Sequence, residues 1–242
     1  PSPALCRPIE HGADIVVHSL TKYMGGHGNS VAGAIVDSGT FPWAQHKERF
    51  KRLNEPDVSY HGVVYTEALG PAAYIGRARV VPLRNMGAAI SPMNAFLILQ
   101  GIETLALRMD RICDNTLALA TFLKHHPKVA WVNYAGLADH PDHALVQKQM
   151  GGRASGILSF GLKEGGREAG ARVLDAFKLF TRPVNIGAAK SLATHPASTT
   201  HRQLNAEELA KAGVSEDMLR LSVGIEHIDD LMADLDQALA AV

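Results

Sequence analysis

Residues 13–30 read ADIVVHSLTKYMGGHGNS, and this stretch decides the fold class of the chain. Residues 13–17 are short, continuous and β-branched, which predicts a fully buried strand, and glycines follow soon after. Lys22 stands just beyond the strand, where the ligands of α/β folds bind. An amine there can form an imine with an aldehyde, and hydroxyls with free backbone N–H groups can hold a phosphate. The alternative is an exposed lysine beside glycines that only turn the chain.

The rest of the chain alternates between strand and helix patterns, which predicts an α/β fold. We place a domain junction near Thr104, inside the long helical stretches. The predicted strands cover residues 31–36, 129–134, 156–162 and 218–224. The predicted helices cover residues 43–53, 66–80, 92–107, 108–125, 140–150, 167–180 and 228–242.

Composition excludes several classes of protein. The 242 residues carry no formal net charge, and the Lys and Arg residues are scattered, so no basic surface for nucleic acid is expected. No apolar run approaches the ~20 residues of a membrane-spanning helix. Cys6 and Cys113 form no recognisable disulfide framework, which favours a cytoplasmic protein.

Histidine is frequent, with 12 residues, but its spacing does not indicate a metal site. His140 and His143 could share one helix face, yet no further Cys or His donors stand at a convincing spacing. His195 lies in a turn next to Pro196, where a structural hydrogen bond is more typical than general-base catalysis. We therefore expect no metal.

Arg220 lies in the predicted strand MLRLSVG, residues 218–224, between apolar neighbours. An arginine inside a buried strand is rare unless it has an anionic partner, and its planar fork suits a carboxylate. The alternatives are a structural salt bridge or an edge-strand arginine that points to water.

Four segments, in order and over essentially the whole chain, resemble the Cys/Met-metabolism family of pyridoxal-phosphate-dependent enzymes. They are SLTKYMGGHGNSVAG (19–33), GIETLALRM (101–109), SLATHPASTTH (191–201) and RLSVGIEHIDDLMADL (220–235). The resemblance implies the aspartate-aminotransferase-like architecture called fold type I. Residues 1–103 would then be the latter part of the large cofactor-binding domain, and residues 104–242 the C-terminal domain.

The resemblance also implies roles for five residues. Lys22 would bind pyridoxal 5'-phosphate covalently and act as the catalytic base, and Ser19 and Thr21 would bind the cofactor phosphate. Arg220 would bind the substrate α-carboxylate, with help from Ser191.

Two further segments, residues 54–70 and 134–166, look most like the O-acetylhomoserine sulfhydrylase branch of the family. That branch implies γ-replacement on O-acetyl-L-homoserine with sulfide or a thiol, which gives homocysteine or methionine and acetate. The alternatives within the family are a methionine γ-lyase and a cystathionine γ-synthase or lyase.

The family builds part of its cofactor site from residues ahead of the lysine and from a neighbouring subunit, usually within a homotetramer. Because only 21 residues precede Lys22, we expect an N-terminal portion of the same protein to complete the site. A non-enzyme alternative is that this chain serves only as an assembly module.

Overall fold

The computed structural model describes residues 2–242, which divide into two compact units. The first unit contains residues 2–6, 21–30 and 97–242, and the second contains residues 7–20 and 31–96. The domain boundary between residues 103 and 104 stays a prediction.

The described residues contain six strands and ten α-helices, so the predicted α/β composition is confirmed. The strands are β1 Ile15–Ser19, β2 Gly33–Asp37, β3 Val129–Asn133, β4 Ile157–Leu162, β5 Leu192–Thr194 and β6 Leu219–Ser222. The helices are α1 Lys51–Asn54, α2 Tyr65–Leu69, α3 Ala73–Ala78, α4 Arg84–Met86, α5 Pro92–Glu103, α6 Leu105–His125, α7 His143–Met150, α8 Arg167–Ala176, α9 Ala206–Lys211 and α10 Ile228–Leu239. Among residues 2–242, none of these helices is both long and apolar enough to cross a membrane.

The first unit is built on an antiparallel sheet in the order β3-β4-β6-β5. Successive side chains of a strand point to opposite faces, so Leu219 and Leu221 enter the core while Arg220 takes the other face. The core contains fully buried residues of α6, α8 and α10, among them Leu119, Val173 and Leu231.

The register of this sheet sets the surroundings of Arg220. Ser159 of β4 is its partner on one side, and Thr194 of β5 is its partner on the other. Residues directly opposite each other on neighbouring strands share a face, so the side chains of Ser159 and Thr194 lie on the same face of the sheet as that of Arg220.

The strand predicted at residues 13–17 is present as β1, but it begins and ends two residues later and pairs antiparallel with β2. The expectation that it is fully buried is wrong. Its sheet has two strands, and the side chains of Val17 and Ile35 are 72% and 45% exposed.

Two predicted helices of the second unit are broken. Residues 43–53 form a 3₁₀ turn, Trp43–His46, and the short α1, because the rings of Phe41, Trp43 and Phe50 gather into a cluster. The predicted helix at 66–80 is interrupted after α2 by Gly70 and Pro71 and ends in a π-helical turn, Arg79–Leu83, which contains Pro82. Proline lacks the N–H that a continuous helix requires.

The helices predicted at 92–107 and 108–125 are present, but the break between them lies at Thr104. Thr104 has φ −103° and ψ 6°, so its backbone leaves the helical conformation for one residue. The predicted helix at 140–150 begins only at His143, and the predicted amphipathic terminal helix is α10.

Candidate active site

Lys22 begins a single helical turn that ends at Gly26. The N–H of Gly26 donates to the carbonyl of Lys22 at 2.8 Å, and Gly26 has φ +72°, a conformation that favours glycine. The Lys22 side chain is partly buried, and its Nζ donates to Oδ1 of Asn185 at 2.6 Å. The amine is therefore held at one defined acceptor 163 residues away in sequence.

Tyr23 anchors this turn to the rest of the first unit. Its side chain is buried, and burial raises the pKa of its hydroxyl to about 12, so the group stays neutral at physiological pH. Gly187 lies against it: a Cβ at Gly187 would come within 2.7 Å of the Tyr23 nitrogen and 2.9 Å of its ring. The N–H of Ala189 also donates to the carbonyl of Gly26 at 2.8 Å. The lysine turn and the segment from Asn185 to Ala189 thus pack directly on each other.

Arg220 meets the same segment from β6. Its Nη2 lies 3.5 Å from the backbone carbonyl oxygen of Asn185, and burial lowers the pKa of the guanidinium. Among residues 2–242, no carboxylate lies within ion-pair distance of Arg220. The structure therefore does not support a structural salt bridge, one of the alternatives for Arg220. Its partly buried guanidinium lies on the face of the sheet opposite the core.

Ser191 is placed differently from Lys22 and Arg220. Its hydroxyl donates to Oε2 of Glu226 and accepts from the N–H of Gly224, both at 2.8 Å, and its own N–H donates to Oε1 of Glu226. The side chain of Asn115 donates to the carbonyls of Gly224 and Glu226. Fully buried Ser191 thus fixes the turn that follows β6.

The two hydroxyl residues predicted to bind phosphate lie on either side of the division between units. Ser19 is the exposed last residue of β1, in the second unit. Thr21 is partly buried and opens the lysine segment of the first unit. Their phosphate-binding roles stay predictions.

His195 is fully buried and hydrogen-bonded through both ring nitrogens. Its Nε2 lies 2.7 Å from the carbonyl of Glu216, which can only accept, so Nε2 carries the proton and Nδ1 accepts from Ser198 Oγ at 2.8 Å. Burial lowers the pKa of His195, which favours this neutral form. These contacts make it a structural residue. Among residues 2–242, no three His, Cys, Asp or Glu side chains are grouped as metal ligands.

Asn185 is the residue that sequence reasoning missed. It contacts Lys22 through its side chain and Arg220 through its backbone. The available signal was its place in the loop RPVNIG, residues 182–187, ahead of the motif that begins at Ser191. An asparagine in a loop is also typical of an ordinary turn, so this signal alone does not indicate a site.

Comparison with known proteins decides the family. The model of the family described as Cys/Met metabolism PLP-dependent enzyme matches residues 1–240. The chain belongs to this family. The resemblance of the four sequence segments is thereby confirmed.

Relatives and solved structures agree with this assignment. The chain is 52% identical over 236 residues to O-acetyl-L-homoserine sulfhydrylase 1 of Thermus thermophilus, covering 98% of this chain and 55% of that protein. It is 50% identical over 235 residues to the homocysteine synthase of Schizosaccharomyces pombe, covering 97% and 54%. An O-acetylhomoserine (thiol)-lyase structure from Campylobacter jejuni has a TM-score of 0.91 at 42% identity, over 99% of this chain and 56% of that one.

The Campylobacter jejuni structure is described with an N'-pyridoxyl-lysine-5'-monophosphate at its position 205. The fold-type-I class of the chain is confirmed by this likeness and by the family. The chain spans about half the length of the curated relatives it matches.

Proposed function

We propose that this chain supplies the catalytic lysine and the carboxylate-binding arginine of a pyridoxal-phosphate-dependent enzyme that performs γ-replacement on O-acetyl-L-homoserine. Sulfide or a thiol is the incoming group, and homocysteine or methionine and acetate are the products. One observation carries the proposal: the Lys22 amine and the Arg220 guanidinium both contact Asn185, one through its side chain and one through its backbone. The relatives named as sulfhydrylases support the choice of substrate.

The residues present fit the cofactor. Lys22 offers a primary amine for its aldehyde, and the exposed Gly28 lets a flat ligand approach the backbone of the same loop. Ser19 and Thr21 offer hydroxyls for its phosphate. When bound, pyridoxal phosphate supplies the electron sink that stabilises negative charge at the substrate Cα.

Lys22 then moves protons within the substrate. Its Nζ would accept a proton from Cα and, in a separate step, one from Cβ as acetate leaves Cγ. After sulfide or a thiol adds at Cγ, the same amine would return a proton to Cβ and to Cα, since four methylenes give it a wide reach. Asn185 Oδ1 accepts from the amine at 2.6 Å and so holds it at one end of that movement. An amide oxygen suits this task because it accepts a hydrogen bond without competing for the proton.

Arg220 binds the α-carboxylate of the substrate. A partly buried guanidinium without an ionic partner among residues 2–242 favours an anion, and a planar fork binds a carboxylate through two parallel hydrogen bonds. Ser191 supports this role indirectly, since its contacts with Glu226 and Gly224 fix the turn directly after β6.

The proposed enzyme is a cytoplasmic homotetramer that includes an N-terminal portion of the same protein. Both cysteines are free, as is typical of a reducing compartment. Several apolar side chains of the second unit are exposed, among them Val17, Val36 and Met86. Such side chains are typical of a protein–protein interface, which supports burial against another part of the assembly.

Borohydride reduction of the purified full-length protein tests the proposal. We expect a visible absorption band that disappears on reduction and leaves a pyridoxyl group on Lys22, located by mass spectrometry. The matched variant Lys22→Arg is expected to lack both band and label. A band with the label on another lysine would contradict the assignment.

Product analysis tests the reaction. O-acetyl-L-homoserine with sulfide is expected to give homocysteine and acetate. If the same protein instead releases methanethiol from methionine faster than it forms homocysteine, the γ-lyase alternative replaces the proposal.

A further inference from the structure

Arg108 is a buried cation in α6 to which the proposed function gives no role. Its side chain is 5% exposed, and burial lowers its pKa. Among residues 2–242, no carboxylate lies within ion-pair distance of it. A buried charge is costly unless its donors are satisfied, so the contacts that replace a counter-ion show what the residue does.

The donors of Arg108 converge on the turn that begins at Lys22. Nη1 donates to the carbonyl of Tyr23 at 2.8 Å, and Nη2 donates to the carbonyls of Met24 at 3.3 Å and Gly101 at 2.5 Å. Nε donates to Oγ1 of Thr104 at 3.1 Å. One guanidinium thus ties the two residues after the lysine to the helix break between α5 and α6.

The turn needs such a partner. The carbonyls of Tyr23 and Met24 lie at the end of a single helical turn, where carbonyl groups lack an intrahelical donor. A basic side chain at that end satisfies these carbonyls. Only a planar fork with several N–H groups in a fixed arrangement can reach both carbonyls and Gly101 at once, which lysine cannot do.

Two glycines leave room for this contact. A Cβ at Gly26 would lie 2.5 Å from Nη1 of Arg108, and a Cβ at Gly101 would lie 2.1 Å from the carbonyl oxygen of Gly25. Any residue other than glycine at position 26 would collide with the guanidinium, and any residue other than glycine at position 101 would collide with the backbone of the lysine turn.

We propose that Arg108 is a positioning residue for Lys22. It fixes the backbone of Tyr23 and Met24, so that the Lys22 amine keeps its hydrogen bond to Asn185 Oδ1 while no cofactor is bound. The consequence for catalysis rests on the proposed function, but the positioning itself is a property of this chain and is measurable without cofactor.

The test compares Arg108→Ala and Arg108→Lys in the full-length protein with Arg111→Ala, a control that removes an exposed arginine of the same helix. Cofactor-free protein is treated with a trace of acetic anhydride. Mass spectrometry then gives the acetylation rate of Lys22 relative to Lys148, an exposed lysine of α7. The measurement is repeated with guanidinium ion at non-denaturing concentration, which can occupy the space that Arg108→Ala leaves.

We expect Arg108→Ala to raise the relative acetylation of Lys22 about five- to tenfold. Without the guanidinium the backbone after Lys22 moves more freely, and the amine spends less time hydrogen-bonded to Asn185. Added guanidinium is expected to restore the slow rate in Arg108→Ala, and Arg108→Lys is expected to resemble Arg108→Ala. Arg111→Ala is expected to match the unchanged protein. In the loaded enzyme, kcat is expected to fall about 10- to 100-fold with a smaller change in KM.

Unchanged Lys22 acetylation in a folded Arg108→Ala or Arg108→Lys protein would overturn the inference, as would a raised rate that guanidinium leaves unaltered. If Arg108→Ala does not fold, Arg108→Lys gives the same readout. Absence of a reducible cofactor band in the unsubstituted protein would defeat the proposed function alone, since the acetylation result does not depend on cofactor.

Discussion

Asn185 joins the two charged side chains that the proposed reaction needs, and its two contacts come from different parts of the residue. Replacing it by alanine removes the Oδ1 acceptor but keeps the backbone carbonyl near Arg220. We expect Asn185→Ala to lower kcat about tenfold, the effect of one hydrogen bond to a charged group. Steady-state kinetics of the full-length enzyme measure this. Asn94→Ala is the control, and equal kcat values for the two variants would contradict the prediction.

Arg220 is expected to act on substrate binding. Arg220→Lys keeps the charge but loses the planar fork, and Arg220→Met loses both. We expect KM for O-acetyl-L-homoserine to rise by roughly 10-fold in the first and 100-fold in the second, since hydrogen bonds between charged groups are the strong ones. Arg202→Lys, at an exposed arginine, serves as control. A fall in kcat with unchanged KM would argue against carboxylate binding.

Sequence reasoning could find residues whose chemistry contrasts with their surroundings. Lys22 at a strand end and Arg220 between leucines are conspicuous for this reason. Asn185 was missed because a polar residue in a loop contrasts with nothing around it. Ser191 was selected for its place in a motif, but the hydroxyl is hydrogen-bonded to Glu226 and Gly224, contacts that only the tertiary structure brings together.

Helix α5 approaches the backbone of the lysine turn through Gly101. A Cβ at Gly101 would lie 2.1 Å from a backbone oxygen, which cannot move away locally. We expect Gly101→Ala to lower the free energy of unfolding by about 1–3 kcal/mol, although alanine is the better helix former. Chemical denaturation measures the change.

The control for Gly101→Ala is Gly76→Ala in α3. A Cβ at Gly76 would also meet an atom at 2.1 Å, but that atom is a terminal methyl of Leu69, which can rotate aside. Gly76→Ala is therefore expected to be close to neutral. Equal losses at both positions would show that close distance alone, rather than an immovable backbone, sets the cost.

His195 directly precedes the 3₁₀ turn Pro196–Ser198, which follows β5. Its burial makes the stability of this part of the fold depend on pH. Its pKa in the folded protein lies below the ordinary value of about 6.5, because burial disfavours the charged ring. Below about pH 6.5 the unfolded chain takes up the proton first, so the contribution of His195 to stability is complete above that pH and is lost as the pH falls.

We therefore expect His195→Gln to show a smaller drop in unfolding free energy between about pH 7.5 and about pH 5.5 than the unsubstituted protein. His11→Gln, at an exposed histidine, is expected to keep the full drop. Identical pH dependence in all three proteins would contradict the assignment.

Elements with strong local patterns were predictable. The terminal helix α10 shows an apolar face at helical spacing, and its type and place were correct. Residues 43–53 have helix-like spacing too, but there the aromatic rings pack on one another and turn the chain, a tertiary effect that periodicity does not contain.

At the scale of the whole molecule, the β1–β2 sheet exposes the apolar side chains of Val17 and Ile35, a surface typical of a protein interface. We expect the chain alone to self-associate and to bind an apolar dye, and a co-produced N-terminal portion of the same protein to suppress both, because the burial of apolar surface drives association. Size-exclusion chromatography and dye fluorescence measure this. Val17→Lys is expected to weaken the binding of the N-terminal portion to this chain.

The control is Val58→Lys, since Val58 is 97% exposed in a loop outside the sheet. A Val17→Lys chain that still pairs as well as the Val58→Lys chain would show that the partner surface lies elsewhere.

The register of β6 has a consequence for protein engineering. Ser159 and Thr194 are the cross-strand partners of Arg220 and share its face of the sheet, so substitutions there change the surroundings of the arginine while its own side chain is kept. A combinatorial library restricted to residues 159 and 194 is therefore a compact way to tune the environment of this arginine while its charge is retained.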